Sequence, residues 1–122
     1  MPAPNDAASI LIVDDDVTYR TALGRAFERR GFRSYEADSV GAALALLSQV
    51  QVSYVSVDLR MPGASGLELV RRMQTSTPDV PVVILTGHGN VGSAVECLKA
   101  GASDYILKPA EPEALEVALD RA

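Results

Sequence analysis

The sequence predicts an α/β domain in which five parallel strands form one sheet with helices on both faces. Two kinds of segment alternate along the chain: short continuous apolar runs, and stretches whose apolar residues recur at helical spacing. Continuous apolar runs are typical of strands that are buried on both faces of a parallel sheet. Five strand–helix pairs follow one another within 122 residues, a length that fits a single domain.

Each predicted strand is short. The first, at 10–13, is wholly apolar, and the second, at 33–37, is polar enough to lie at an edge of the sheet. The other three are predicted at 53–57, 82–85 and 105–107. The central strands are thus expected to be buried, with the second strand outside them.

The first two helices are predicted by apolar stripes at a spacing of three or four residues. One covers 19–27 and stops at Gly31, where a glycine is typical of a helix C-terminus. The other covers 40–47, with Asp38 or Ser39 as its N-cap.

The remaining three helices are predicted by their end signals. Ser65 and Glu68 have capping-box spacing and open the third helix. Asn90 caps the fourth, which ends at Gly101, and the fifth begins near Pro112, a suitable first-turn residue. Right-handed crossovers leave few topologies for these elements, and the doubly wound, flavodoxin-like strand order 2-1-3-4-5 is the common one at this size.

Composition excludes several classes of protein. Sixteen acidic and eleven basic residues give a net charge of −5, which argues against a domain that binds nucleic acid, because phosphate backbones need clustered Lys and Arg. Cys97 is the single cysteine, so no internal disulfide can form. Apolar runs fall far short of the ~20 residues that span a bilayer, and the N-terminus lacks a signal pattern. We expect a cytoplasmic domain at 9–122 that binds no membrane, preceded by a tail at 1–8.

Polar groups follow four of the five predicted strands. They come after the first, third, fourth and fifth strands: Asp14, Asp15, Asp16, Asp58, Thr86 and Lys108. These strands are neighbours in the predicted order, and the carboxyl ends of parallel strands share one edge, where ligands bind. Any one such residue is more often a turn or cap residue. Their coincidence in one register indicates a site.

This set of residues predicts phosphoryl chemistry. Clustered carboxylates repel one another unless a cation lies among them. Mg²⁺ suits such a cluster, because it binds one or two carboxylates, keeps waters and shares a phosphate. A carboxylate can also act as a nucleophile and form an aspartyl phosphate. Phosphoryl transfer depends on positioning and charge neutralisation, which the metal, Lys108 and Thr86 can supply.

Six motifs resemble, in order and spacing, the receiver domain of bacterial two-component response regulators. They are I-V-D-D-D at 12–16, V-D-L-R-M-P-G at 57–63, G-L-E-L at 66–69, L-T-G at 85–87, K-A-G-A at 99–102 and D-Y-I-L-K-P at 104–109. The resemblance covers about residues 9–122. The sequence around Asp58 and at 86–89 is most similar to those of redox- and photosynthesis-control regulators and of nitrogen-type transcriptional regulators.

The resemblance implies that Asp58 is the phosphoacceptor. Mg²⁺ would be bound directly by Asp15, by Asp58 and by the backbone carbonyl of Arg60. Asp14 would contribute through water.

The resemblance also implies a switch. Thr86 and Lys108 would contact the phosphoryl group, and the Lys108–Pro109 bond would be cis. Tyr105 would be the switch aromatic, which turns inward when Thr86 moves toward the phosphate.

A sensor histidine kinase is the partner that the resemblance implies, with its phosphohistidine as donor. The domain would catalyse only its own phosphorylation and dephosphorylation and is otherwise not an enzyme. We expect phosphorylation to change the face formed by the fourth helix, fifth strand and fifth helix, to promote homodimerisation and to control transcription. DNA would be reached only through a C-terminal domain beyond residue 122. The chain is either a stand-alone receiver or a segment of a longer protein, and the abrupt end of the last helix favours the segment.

Five residues raise separate expectations. Asp16 is an acid beyond the usual pair and is interpreted as a helix cap. Ser56 is polar in a buried strand, and we expect its hydroxyl to bond locally. Cys97 is expected in the core. Arg60 and His88 are expected to rim the phosphoryl group and to slow its hydrolysis by obstructing the attacking water.

The strongest alternative is a phosphatase of the haloacid dehalogenase type. Residues 14–18 fit its D-x-D-x-T pattern, in which the first acid, here Asp14, is the nucleophile. That family needs a further acidic pair after the lysine, and the acids that follow here, Glu111 and Glu113 first, belong to a predicted helix. The alternative also leaves the motif at 57–63 without a role. A flavodoxin-like mononucleotide binder is the third interpretation, but the first loop is acidic rather than rich in Gly, Ser or Thr.

Overall fold

Strands and helices alternate along the chain in the computed structural model, which describes residues 8–61, 63, 65–87 and 91–121. The strands are β1 (Ser9–Val13), β2 (Arg33–Ala37), β3 (Tyr54–Asp58), β4 (Val82–Thr86) and β5 (Asp104–Leu107). The helices are α1 (Val17–Arg29), α2 (Val40–Leu47), α3 (Gly66–Ser76), α4 (Val91–Ala100) and α5 (Pro112–Asp120). In the part of the chain described, no helix is long and apolar enough to cross a membrane.

The five strands form one parallel sheet in the order β2-β1-β3-β4-β5, which confirms the predicted fold class. The register aligns the strand ends. Val13 of β1 is opposite Val57 of β3, and the next residue of β3, Asp58, is opposite Leu85. Thr86 ends β4 opposite Leu107, the last residue of β5. Side chains that end or follow these strands are therefore brought to the same edge.

Alternate residues of each central strand enter different cores. Odd-numbered residues of β1 and β3, such as Leu11 and Val57, pack in the cluster with α2, α3 and α4. Even-numbered residues of β1 and odd-numbered residues of β4, such as Ile12 and Leu85, pack in the cluster with α1 and α5. Both faces of the sheet are covered, which explains why its strands read as continuous apolar runs.

Helix caps differ partly from the prediction. Asp16 caps α1, since its Oδ1 accepts from the amide of Tyr19 at 3.1 Å. Ser39, rather than Asp38, caps α2 through the amide of Ala42, also at 3.1 Å. The proline at the start of α5 is in its predicted position. Asn90, the predicted cap of α4, lies outside the described residues.

The predicted capping box at α3 was wrong. Ser65 occupies the N-cap position, but its side chain makes no capping hydrogen bond. Backbone contacts position this helix start instead, because the amide of Gly66 donates to the carbonyl of Leu59 at 3.0 Å. The approach is so close that a Cβ at Gly66 would lie 2.8 Å from the carbonyl oxygen of Asp58. Glycine therefore allows α3 to begin directly against the end of β3.

The structure tests the predictions made for two core residues, Cys97 and Ser56. Cys97 is fully buried, as predicted. Ser56 is also fully buried, but its Oγ finds no hydrogen-bond partner among the described residues, so the expected local bond was wrong. Ser56 lies in the middle of β3, between Ile12 and Val83, where its neighbours on both sides are aliphatic.

Candidate functional site

Three carboxylates meet at the carboxyl end of the sheet. Asp14 and Asp15 follow β1 and Asp58 ends β3, and one oxygen from each lies within 4.8 Å of the others. Asp14 is 1% exposed and Asp58 is 8% exposed, whereas Asp15 is open to solvent. The predicted convergence of acidic residues is therefore confirmed, and the three members differ in accessibility.

Lys108 lies between two of these carboxylates. Its Nζ is 2.8 Å from Oδ2 of Asp14 and 3.5 Å from Oδ2 of Asp58. The backbone amide of Lys108 donates to the carbonyl of Thr86 at 2.9 Å, which extends the β4–β5 pairing by one residue. Lys108 follows β5, and its bond to Pro109 is cis, as predicted.

Both carboxylate oxygens and the backbone carbonyl of Asp14 accept hydrogen bonds. Its Oδ1 accepts from the amide of Asp16 at 2.9 Å, while its Oδ2 binds Lys108. The Arg20 guanidinium on α1 donates to the carbonyl of Asp14 at 2.7 Å and also binds Glu36 of β2 at 2.9 Å. Asp14 is consequently held in one orientation by groups from β2, α1 and the segment after β5.

Burial and neighbouring charges shift the pKa values of Asp58 and Lys108, which face each other here. Burial raises the pKa of Asp58 above its ordinary value; the Lys108 ammonium opposes this rise and the charge of Asp14 adds to it. Burial alone would lower the pKa of Lys108, but its bond to Asp14 and the negative charges of Asp58 and Asp14 outweigh burial and raise it. Lys108 therefore stays an ammonium ion, and a divalent cation among the acids would counter the rise at Asp58.

Tyr19 is a member of the site that the sequence did not reveal. Its hydroxyl oxygen accepts from the amide of Ala110 at 3.1 Å, and the Nζ of Lys108 lies 4.7 Å from the centre of its ring. Burial raises the pKa of Tyr19. The sequence placed this residue only on the apolar stripe of α1. A hydroxyl on that stripe, one turn after the acidic loop, was the available signal.

The predicted switch residues lie on neighbouring strands. Thr86 is fully buried at the end of β4, and its hydroxyl donates to the carbonyl of Gly87 at 3.3 Å. Tyr105 of β5 is opposite Ile84, two residues before Thr86, and packs against the core beside α2, α3 and α4. Since alternate strand residues share a face, Thr86 and Tyr105 project from the same side of the sheet.

Of the two predicted rim residues, the structure describes Arg60 but not His88. Arg60 is exposed next to the site, and its amide lies 3.5 Å from Oδ1 of Asp58. His88 lies outside the described residues, as does Pro62 of the motif after β3.

A family model described as the response regulator receiver domain matches residues 10–120. The chain belongs to this family. Of its curated relatives, the photosynthetic apparatus regulatory protein RegA of Rhodovulum sulfidophilum is 41% identical over 111 residues, which are 91% of this chain and 61% of RegA. The C4-dicarboxylate transport transcriptional regulatory protein DctD of Rhizobium meliloti is 40% identical over 84% of this chain, but over only 22% of its own length.

Solved receiver structures agree with the fold. A response regulator receiver domain protein from Clostridium thermocellum superposes with a TM-score of 0.88 at 31% identity, covering 93% of this receiver and 92% of that chain. A response regulator from Burkholderia pseudomallei, solved with a phosphorylated aspartic acid, a calcium ion and citrate, superposes with a TM-score of 0.87 at 33% identity, over 92% and 66% of the two chains. The predicted resemblance, including its likeness to photosynthesis-control and nitrogen-type regulators, is thus confirmed.

The haloacid dehalogenase alternative is not supported by these findings. Its nucleophile would be Asp14, which is almost completely buried and has both carboxylate oxygens in hydrogen bonds. The receiver is instead a member of a family of phosphoacceptor switches.

Proposed function

We propose that Asp58 accepts a phosphoryl group from the phosphohistidine of a sensor histidine kinase and that the receiver, residues 9–122 after a tail at 1–8, thereby switches an output. The observation that carries this proposal is the meeting of three carboxylates within 4.8 Å beside the Lys108 ammonium. Asp58 is the member that ends a strand and keeps some exposure. The phosphorylated aspartic acid in the similar Burkholderia pseudomallei response regulator supports the same assignment.

In the transfer, a carboxylate oxygen of Asp58 forms a bond to phosphorus while the phosphorus–nitrogen bond of the donor breaks. The imidazole nitrogen leaves with the bonding electron pair, and the product is an acyl phosphate on Asp58. Lys108, already 3.5 Å from Oδ2 of Asp58, stabilises the negative charge of the arriving phosphoryl oxygens. The hydroxyl of Thr86 is proposed to donate to another of them.

The donor set fits Mg²⁺. Hard oxygen ligands are what this ion binds in proteins, and the acidic cluster provides them. We propose Asp15, Asp58 and the backbone carbonyl of Arg60 as direct ligands. Asp14 contributes through water, because its own oxygens already bind Lys108 and the amide of Asp16. When bound, Mg²⁺ neutralises charge on the phosphoryl oxygens.

Phosphorylation is proposed to bias a surface that has two states. Thr86 moves toward the phosphoryl group and Tyr105 turns into the space that it leaves. The face that changes is formed by α4, β5 and α5. Among the side chains that the structure describes, each element of that face exposes one large aliphatic residue: Val95, Leu107 and Val117, which are 40%, 40% and 51% exposed. Exposed apolar side chains favour association, and this supports homodimerisation.

Transcription is the output that we propose, through a DNA-binding domain outside residues 1–122. The support is the set of relatives: RegA is a regulatory protein, DctD is a transcriptional regulatory protein, and both extend well beyond the matched region.

Analytical ultracentrifugation with and without beryllofluoride tests the proposed homodimerisation. An identical monomer in both states would contradict dimerisation of this receiver.

The nucleophile is tested by intact mass after incubation with acetyl phosphate and Mg²⁺. The parent protein should gain the mass of one phosphoryl group, Asp58→Asn should gain none, and Asp14→Asn should gain less than the parent. Labelling that persists in Asp58→Asn and disappears in Asp14→Asn would make Asp14 the nucleophile and overturn the proposal.

A further inference from the structure

One side chain of α1 makes two contacts with the segment that follows β5. The hydroxyl oxygen of Tyr19 accepts from the amide of Ala110 at 3.1 Å. The face of the same ring lies under Lys108, whose Nζ is 4.7 Å from the ring centre. Neither contact is local, since 91 positions separate Tyr19 from Ala110. Tyr19 therefore joins the start of α1 to the segment that presents Lys108.

These contacts close a ring of interactions around the site. Oδ1 of Asp14 accepts from the amide of Asp16, and Oδ1 of Asp16 accepts from the amide of Tyr19. The Tyr19 hydroxyl then binds Ala110, two residues after Lys108, and the Nζ of Lys108 returns to Oδ2 of Asp14. The acidic loop and the lysine segment are thereby joined by contacts within the protein.

Lys108 needs such support. A lysine side chain is a flexible stem with a compact point charge, so it loses considerable rotamer freedom when held in one place. Here it must bridge Asp14 and Asp58 at 2.8 and 3.5 Å. An aromatic face attracts an ammonium ion and also excludes the stem from the volume behind it. The Tyr19 ring therefore restricts Lys108 to the orientation that points at Asp58.

We propose that Tyr19 is a positioning residue for phosphoryl transfer: its ring fixes the Lys108 ammonium and its hydroxyl fixes the backbone at Ala110. Tyr19 acts through Lys108 and through the segment after β5, and no contact of its own with the reacting atoms is required. The proposal rests on the proposed function only for its kinetic consequence. The placement of Lys108 against the ring can be tested separately.

Two substitutions separate the ring from the hydroxyl. Tyr19→Phe keeps the ring beneath Lys108 and removes the bond to Ala110, whereas Tyr19→Leu removes both. From the usual strengths of one hydrogen bond and one cation–π contact, the phosphorylation rate with acetyl phosphate at saturating Mg²⁺ should fall about threefold in Tyr19→Phe and about tenfold in Tyr19→Leu. Tyr54→Phe is the matched control, because it also loses a 3.1 Å bond, to Asp120, at the far end of β3.

A double-mutant cycle shows whether Tyr19 acts through Lys108. In a Lys108→Ala background the tenfold effect of Tyr19→Leu should shrink to about the threefold effect of losing the hydroxyl. Additive losses in the double variant would mean that the ring does not act through Lys108 and would overturn the proposal. If the Tyr19 variants are phosphorylated at the same rate as the parent, the proposal is overturned as well.

An NMR measurement tests the placement without using activity. The chain has two lysines, Lys99 and Lys108, so ¹³C labelling of lysine gives two ε-methylene signals. The ring current of Tyr19 should displace the Lys108 signal in the parent and in Tyr19→Phe, and Tyr19→Leu should return it toward the position of Lys99. A signal unchanged by Tyr19→Leu would overturn the proposal. If the displacement is present but the parent is never phosphorylated, the proposed function fails while the positioning of Lys108 stands.

Discussion

Replacing Lys108 with Met tests how strongly the ammonium group stabilises the acidic end of the sheet. The substitution keeps an unbranched apolar side chain of similar length and removes the ammonium group, whose Nζ lies 4.7 Å from the centre of the Tyr19 ring. Asp14, which is 1% exposed, and Asp58 would then face each other without the cation that lies 2.8 and 3.5 Å from them. The folded state should be destabilised, because a buried carboxylate that loses its partner keeps the cost of its desolvation.

The expected magnitude lies between those of buried and exposed ion pairs. Removing one partner of a buried pair costs about 3–5 kcal/mol, whereas exposed pairs contribute at most about 1 kcal/mol. The Lys108 side chain is 23% exposed and its main partner, Asp14, is buried. A decrease of about 2–3 kcal/mol in the free energy of unfolding is therefore expected at about pH 7 in the absence of divalent cations.

The dependence on pH follows from the direction of each shift. The pKa of Lys108 is raised, so its contribution is fully present below the ordinary lysine pKa and is lost only as the pH rises through the raised value. The pKa of Asp58 is raised by burial and by Asp14, and removal of Lys108 raises it further. Acidification protonates Asp58, whose pKa is raised, and so removes its repulsion with Asp14; the difference between Lys108→Met and the parent should therefore be smaller at about pH 4 than at pH 7.

Urea denaturation of the two proteins at both pH values measures this difference. Lys99→Met is the matched control, because Lys99 is the other lysine and lies exposed on α4; it should stay within about 0.5 kcal/mol of the parent. Equal stability of Lys108→Met and the parent at pH 7 would refute the electrostatic reasoning. A loss that is the same at both pH values would point to packing instead of charge.

Three further predictions concern the metal, the core and the lifetime of the phosphorylated state. Asp15→Ala should remove most Mg²⁺ binding in a titration, because Asp15 is the accessible acid of the cluster; unchanged affinity would assign the ligand role to another acid. Ser56→Ala should raise the free energy of unfolding by about 1 kcal/mol, since the buried hydroxyl has no partner among the described residues, and a clear loss of stability in urea would show that this hydroxyl is bonded. Arg60→Ala and His88→Ala should both lose the phosphoryl group faster than the parent, because water would reach it more easily. Slower loss in His88→Ala would show that the histidine assists the water.

Much of the fold was predictable because its signals are local. Continuous apolar runs, helical stripes and helix-end signals located the five strands and five helices. β3 was displaced by one residue at each end, and β1, β4 and β5 each extend one residue further than predicted. The size of the domain and the rule of right-handed crossovers then selected the strand order. Asp14, Asp58, Thr86 and Lys108 could be assigned to one site because parallel strands bring their carboxyl ends to one edge whatever their side chains are.

The partners of individual side chains were not predictable in this way. The stripe on α1 indicated that Tyr19 faces the interior, but its bond to Ala110 depends on how α1 packs beside the segment after β5. Likewise, the charge pattern gave no reason to connect Arg20 with the carbonyl of Asp14 and with Glu36. The start of α3 had the spacing of a capping box, yet close backbone packing of Gly66 against the end of β3 took the place of the side-chain cap.

By itself, therefore, the sequence determined which polar groups share the edge of the sheet, since the alternation of elements follows from short-range periodicity and the strand order from domain size and crossover handedness. The tertiary structure decided which of those groups are bonded to one another. Lys108 lies closer to the buried Asp14 than to Asp58, and Asp15 remains open to solvent. The Tyr19 ring packs against the ammonium group of Lys108. Such choices depend on distances and burial between residues far apart in the chain, which a periodic pattern does not encode.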